Sequence, residues 1–108
     1  MNWDQVFKDF KRYLLLERNL SGNSIEAYLN DVRKLQAYCD FKSLTLQEVQ
    51  TKHLQQFLMY LNEFSISPFT QARLLSGLKT FFAFLQIEYD RSDNPASLID
   101  SPRLSRKI

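Results

Sequence analysis

Apolar residues recur at helical spacing along most of this chain. Trp3, Val6, Phe7, Phe10, Tyr13 and Leu14 fall three or four apart, with Gln5, Lys8, Asp9 and Arg12 on the opposite side. That pattern predicts an amphipathic helix over 2–19. The turn Asn19-Leu20-Ser21-Gly22-Asn23-Ser24 follows, and Ser21 is placed to cap a second helix running to Asp40. Ile25, Tyr28, Leu29, Val32, Leu35 and Cys39 form its expected buried arc, against a thin polar face of Ala27, Asn30, Lys34 and Ala37. Thr45 begins a short capped connection. Thr51 is expected to cap a third helix over 52–63, with Leu54, Phe57, Leu58 and Leu61 inward and His53 on solvated surface.

Ser67 followed by Pro68 is the favoured order for a helix start. The fourth helix is predicted to reach Glu88, burying Leu74, Leu75, Leu78, Phe81, Phe82 and Leu85. Its opposite arc holds Ala72, Arg73, Ser76, Lys79, Thr80 and Ala83, with Gly77 near the edge. Small side chains there would let another surface approach the helix backbone closely. Asp93-Asn94-Pro95 predicts a last helical turn over 95–99, and 101–108 reads as linker. No strand alternation of useful length occurs. The fold class is therefore all-α, a compact four-helix domain with a short extra helical turn. Trp3, Phe7, Phe10, Phe57, Leu78, Phe81 and Phe82 are expected to converge in one core.

Composition narrows the chemistry more than the fold. The 108 residues suffice for one domain. One cysteine, Cys39, and one histidine, His53, exclude a disulfide within the chain and any multi-cysteine or multi-histidine metal site. Two glycines exclude a glycine-rich phosphate loop. Cys39 lies on an apolar arc without a neighbouring base and reads as a core residue. Tyr13, Tyr28, Tyr38, Tyr60 and Tyr89 lack the clustered donors that phosphoryl chemistry would need. The carboxylates are scattered singly. No catalytic residue, cofactor, metal or small-molecule ligand is expected. The apolar runs are too short for a membrane span, and Met1-Asn2-Trp3-Asp4-Gln5 is unlike a secretory signal, so a soluble cytoplasmic protein is expected.

Net charge is only +2, but it is unevenly spread. From Phe64 to Ile87 the chain carries Arg73 and Lys79 and no acid, and its last eight residues carry Arg103, Arg106 and Lys107 without one. A moderately basic patch follows, and with it a binding or interaction module. Charges exposed on a helix face are replaceable at little cost to folding.

The run Thr70-Gln71-Ala72-Arg73-Leu74-Leu75-Ser76-Gly77-Leu78-Lys79-Thr80-Phe81-Phe82 resembles the fourth-helix signature of Xer-type (XerC/XerD-like) tyrosine recombinases of the phage-integrase family. That signature has an arginine, a leucine-serine pair, a basic residue and paired aromatics. Asn94-Pro95 and Ser101-Pro102-Arg103 are similar to the family's run into its linker. Glu17, Asn19, Leu20, Ser21, Ser24, Tyr28 and Asp31 resemble an upstream pattern of the family. Ser24 stands where threonine is usual there, and Val32 where leucine is usual.

The resemblance implies a SAM-like core-binding domain over 1–100 and the start of a linker over 101–108. It implies half of a clamp on double-stranded DNA, in company with other recombinase subunits, with the second and fourth helices against the major groove. Arg73, Ser76, Lys79 and Thr80 would then contact DNA, flanked by Asn30, Lys34 and Ser24. The family's catalytic groups would belong to a following domain, and no residue of this chain is expected to take their roles. The alternative is a helical protein–protein interaction domain without a nucleic-acid role. Salt-dependent binding to duplex DNA separates the two.

Overall fold

A computed structural model describes residues 2–100 of the chain. Four α-helices form in chain order: α1 over Trp3–Leu16, α2 over Gly22–Phe41, α3 over Thr51–Asn62 and α4 over Pro68–Glu88. A single 3-10 turn, Leu46–Glu48, lies between α2 and α3. The linker expected over 101–108 lies outside the described residues.

Local chemistry sets the helix ends. The Asn2 side-chain oxygen accepts from the backbone N–H groups of Asp4 and Gln5, so Asn2 is the cap of α1 and not its first turn. The helix stops at Leu16, short of the expected Asn19, because Asn19 takes the left-handed conformation at φ 51°. Asparagine tolerates that region better than most residues. Ser21 and Ser67 cap α2 and α4 as expected, accepting from Ser24 N–H at 3.3 Å and Thr70 N–H at 3.1 Å.

The start of α3 differs from the expectation. Gln50 is the cap, and its backbone N–H donates to His53 Nδ1 at 2.9 Å. His53 is thus half-buried and tied to the helix start, not solvated surface. Thr51 is already helical, and its hydroxyl donates to the Pro95 carbonyl at 2.8 Å. The helical turn expected over 95–99 is a pair of hydrogen-bonded turns, from Ser97 N–H to Asn94 O and from Ile99 N–H to Ala96 O. The segment after α4 bonds outward to its neighbours instead of continuing as a helix. Asn94 donates to the Lys79 carbonyl at 3.1 Å. Arg91 donates to the carbonyls of Leu46 and Val49, pairs with Asp93 and lies 5.1 Å over the Phe82 ring.

The core gathers most of the expected residues. Phe10, Phe57, Leu78, Phe81 and Phe82 are fully buried, while Trp3 and Phe7 are half-buried at its margin. Phe81 meets Phe10 edge-on at 5.1 Å, Phe82 at 5.2 Å and Trp3 in a stack at 6.4 Å. Phe84 and Tyr38 also enter the core, though neither lay on the expected arcs. Phe84 touches Phe10, Tyr13 and Tyr89, which tie α1 to the end of α4. Tyr38 joins α2 to Phe57 and Tyr60 of α3. α4 is consequently buried around most of its circumference.

Truncating Phe81 to alanine removes a ring from the centre of this cluster. The expected loss is about 3–5 kcal/mol, read as a shift in the urea midpoint. A loss below about 1 kcal/mol would place Phe81 outside the core.

Candidate nucleic-acid interface

The expected DNA-facing residues sit on α2 and α4, which pack directly against each other. Gly77 lies at their contact. A Cβ built on Gly77 would meet Asp31 Oδ2 at 2.9 Å and Tyr28 Cδ1 at 3.0 Å. A residue without a side chain lets the Asp31 carboxylate and the Tyr28 ring come this close to the α4 backbone. Gly77 therefore serves the helix–helix contact and is buried, whereas the sequence suggested that it kept an outer surface low.

Asp31 is fully buried beside that glycine. Its Oδ2 accepts from Arg73 Nη1 at 2.7 Å, and its Oδ1 has no hydrogen-bond partner among the described residues. Burial pushes the Asp31 carboxyl above the ordinary carboxylate range, opposed by the Arg73 hydrogen bond and by the fields of Arg73 and Lys34. Arg73 itself is half-exposed, with 47% of its side chain accessible. Its remaining N–H groups make no hydrogen bond among the described residues. Ser24, Ala27, Tyr28 and Arg73 line one open cleft at this end of the contact.

The predicted face divides in two. Arg73 and Gly77 lie on the side of α4 that meets α2, and Thr80 is buried at 9% exposure, not open to a duplex. Ser76 is exposed and Lys79 half-exposed, bordered by half-buried Ala72 and Ala83. On α2, Ser24, Asn30 and Lys34 are exposed. Asn30 accepts from Arg33 at 2.7 Å. Lys34 borders a separate groove with Ala37, Tyr38, Tyr60, Leu61, Phe64 and Ile66. The structure thus joins Arg73 with Ser24, keeps Ser76 and Lys79 on an outer strip, and withdraws Thr80.

Asp31 is the site residue that sequence reasoning left without a role. Two signals pointed to it: an acid beside apolar Val32 on the helix, and a glycine in the middle of α4. Cys39 is buried, and its thiol is pushed up to about 11 by burial and then by Asp40, as suits an inert core residue. Tyr89 is pushed up to about 12 by burial and by its hydrogen bond to Asp9, whose own carboxyl that bond holds below the usual range.

The chain matches the family model described as the phage integrase N-terminal SAM-like domain over residues 7–88. It is 33% identical over 106 residues to a tyrosine recombinase XerD of Chlorobaculum tepidum, covering 98% of this chain and 35% of that protein. It is 37% identical over 109 residues to a tyrosine recombinase XerC of a Roseiflexus species, covering 97% and 34%. A tyrosine recombinase XerD of Vibrio cholerae is 30% identical over 103 residues, covering 95% and 34%. The chain spans about a third of the length of these curated relatives. No solved structure matches it significantly.

Two substitutions test the contact. Gly77→Ala gains about 1 kcal/mol of helix propensity, but forcing a methyl group against Tyr28 and the buried carboxylate costs about 1–3 kcal/mol. Net destabilisation in a urea melt is expected, and a more stable variant would contradict the close approach. Arg73→Ala removes a charged hydrogen bond and should cost about 1–3 kcal/mol at pH 7, where an independent surface charge would cost little. A carboxyl raised in the folded state binds its proton more tightly there, so folding stability falls as pH rises through the raised value. Losing Arg73 raises Asp31 further, so the loss should shrink as pH drops to 4. A pH-independent loss would show that Asp31 is not the group involved.

Proposed function

The chain belongs to the phage integrase N-terminal SAM-like domain family, the non-catalytic part of tyrosine recombinases, and from that premise we propose that it binds double-stranded DNA as the core-binding domain of a site-specific recombinase. α2 and α4 present the contacting surface, with residues 1–100 as the binding unit and 101–108 as the start of a linker to a catalytic domain. Ser101-Pro102-Arg103 supports that last assignment through its resemblance to the family's linker entry. Other recombinase subunits are the protein partners, and the cytoplasm is the compartment. Among the described residues, no helix is long and apolar enough to cross a membrane.

The observation that carries this reading is a basic, acid-free stretch displayed on a helix beside a second helix. Phe64 to Ile87 contains no carboxylate, and α4 presents Ser76 and Lys79 outward from it. Lys79 suits a phosphate contact, which fixes register without reading sequence. Arg73 suits a guanine edge, since only a guanidinium offers a two-donor fork. Ser24 shares the Arg73 cleft from α2, and the exposed Asn30 and Lys34 of that helix are assigned to the DNA's flank. Thr80, being buried, is not part of that surface.

A second reading has its own observation. Phe41, Met59 and Phe64 are exposed at 69%, 70% and 63%, and Phe41 and Phe64 both pack on Tyr60. That group of side chains suits a protein–protein interaction domain.

Binding to duplex DNA across a salt series decides between them. The DNA reading expects affinity to fall steeply with salt, and Lys79→Ala to flatten the log–log slope by about one unit. An unchanged slope would remove Lys79 from the interface. No duplex binding at low salt would favour the interaction-domain reading.

A further inference from the structure

A buried carboxylate is an unexpected neighbour for a DNA-contacting arginine. Its charge repels the duplex and offsets the charge of Arg73. A closely paired arginine and aspartate are together nearly neutral, so they release few counterions on meeting a phosphate. Burial of Asp31 is also costly, because a buried ion loses its hydration and one of its oxygens has no partner. What the arrangement does supply is rigidity. Asp31 is held under Gly77 and beside the Tyr28 ring, with no accessible surface. Arg73 Nη1 is pinned to it at 2.7 Å, while the rest of the guanidinium opens to the cleft shared with Ser24, Ala27 and Tyr28. Arginine loses less freedom per hydrogen bond when its planar fork is already oriented.

Building on the DNA-binding reading above, we infer that Asp31 is a positioning residue. It fixes the Arg73 guanidinium at the mouth of the α2–α4 contact, so that its free edge meets a base edge in the major groove as an oriented donor. Arg73 then contributes to discrimination between sequences, while Lys79, which has no such partner among the described residues, contributes to affinity for any duplex. Asp31 acts through Arg73 and touches no DNA.

The test uses a duplex enriched by this chain from a randomised pool, compared with the unselected pool. Asp31→Asn keeps the side-chain size and removes the charge. Preference for the enriched duplex should fall about tenfold, the scale of one oriented arginine–base contact. Affinity for the unselected pool should hold or rise, because the variant is more positive by one charge; a general loss of structure would lower both. In an Arg73→Gln background, Asp31→Asn should change the preference no further. An unchanged preference, an equal fall in both backgrounds, or a wild-type chain with no preference would each overturn the inference. If Lys79→Ala still flattens the salt slope in any of those cases, the DNA-binding reading survives without it. A wild-type chain that binds neither pool removes that reading itself. A second measurement needs no variant to fold. In the unliganded wild-type chain, NMR should show Arg73 guanidinium protons rotating more slowly than those of exposed Arg18. Equal mobility of the two would overturn the positioning role directly.

Discussion

The contact between α2 and α4 at Gly77 is the constraint on which the rest of the domain depends. It brings the Tyr28 ring and the Asp31 carboxylate against a helix backbone with no room for a methyl group. A glycine inside a helix is disfavoured by about 1 kcal/mol relative to alanine, and the close packing it permits offsets that loss. Arg73, one turn before Gly77, closes the contact from the solvent side through Asp31. Because the two helices are fixed here, Ser24, Asn30 and Lys34 keep a set relation to Ser76 and Lys79.

The aromatic core makes α4 the central element. Phe81 and Phe84 both meet Phe10 of α1, and Phe82 lies under the Arg91 guanidinium, so α1 and the segment after α4 both find aromatic surface on it. A helix packed on so many sides has little surface left, and its exposed polar positions shrink to a strip around Ser76. The return segment adds directional bonds to the buried packing of Leu46, Val49 and Ala96. Arg91 satisfies two carbonyls at the 3-10 turn and its end, and Asn94 bonds the Lys79 carbonyl on α4. Asn94-Pro95, one of the runs that resemble the recombinase family, thus has a structural task in this chain: its side chain and carbonyl hold α4 and α3 together.

The sequence by itself determined the four helices and most of the core, because helix periodicity and capping are local. Ser21, Ser67 and Pro68 act within a few residues of themselves. Apolar spacing also marked Phe10, Phe57, Leu78, Phe81 and Phe82 without knowledge of their partners. Thr51 and His53 were misread because their bonding partners are chosen by tertiary contact and by competition at the cap: Thr51 reaches Pro95, far along the chain, and His53 turns back to Gln50. Only the tertiary structure decided which side of α4 faces solvent. A wheel of one helix placed Arg73, Ser76, Lys79 and Thr80 together, but the packing of α2 takes Gly77 inside and leaves Arg73 at the rim, and Thr80 is buried in the fold. The pairing of Arg73 with Asp31 was equally out of reach, since the two lie 42 residues apart and meet only when α2 and α4 pack. Spacing along the chain reports the phase of each helix about its own axis. The rotation of one helix against another is set by the fit of side chains between them, and here that fit turns on a glycine and a buried carboxylate.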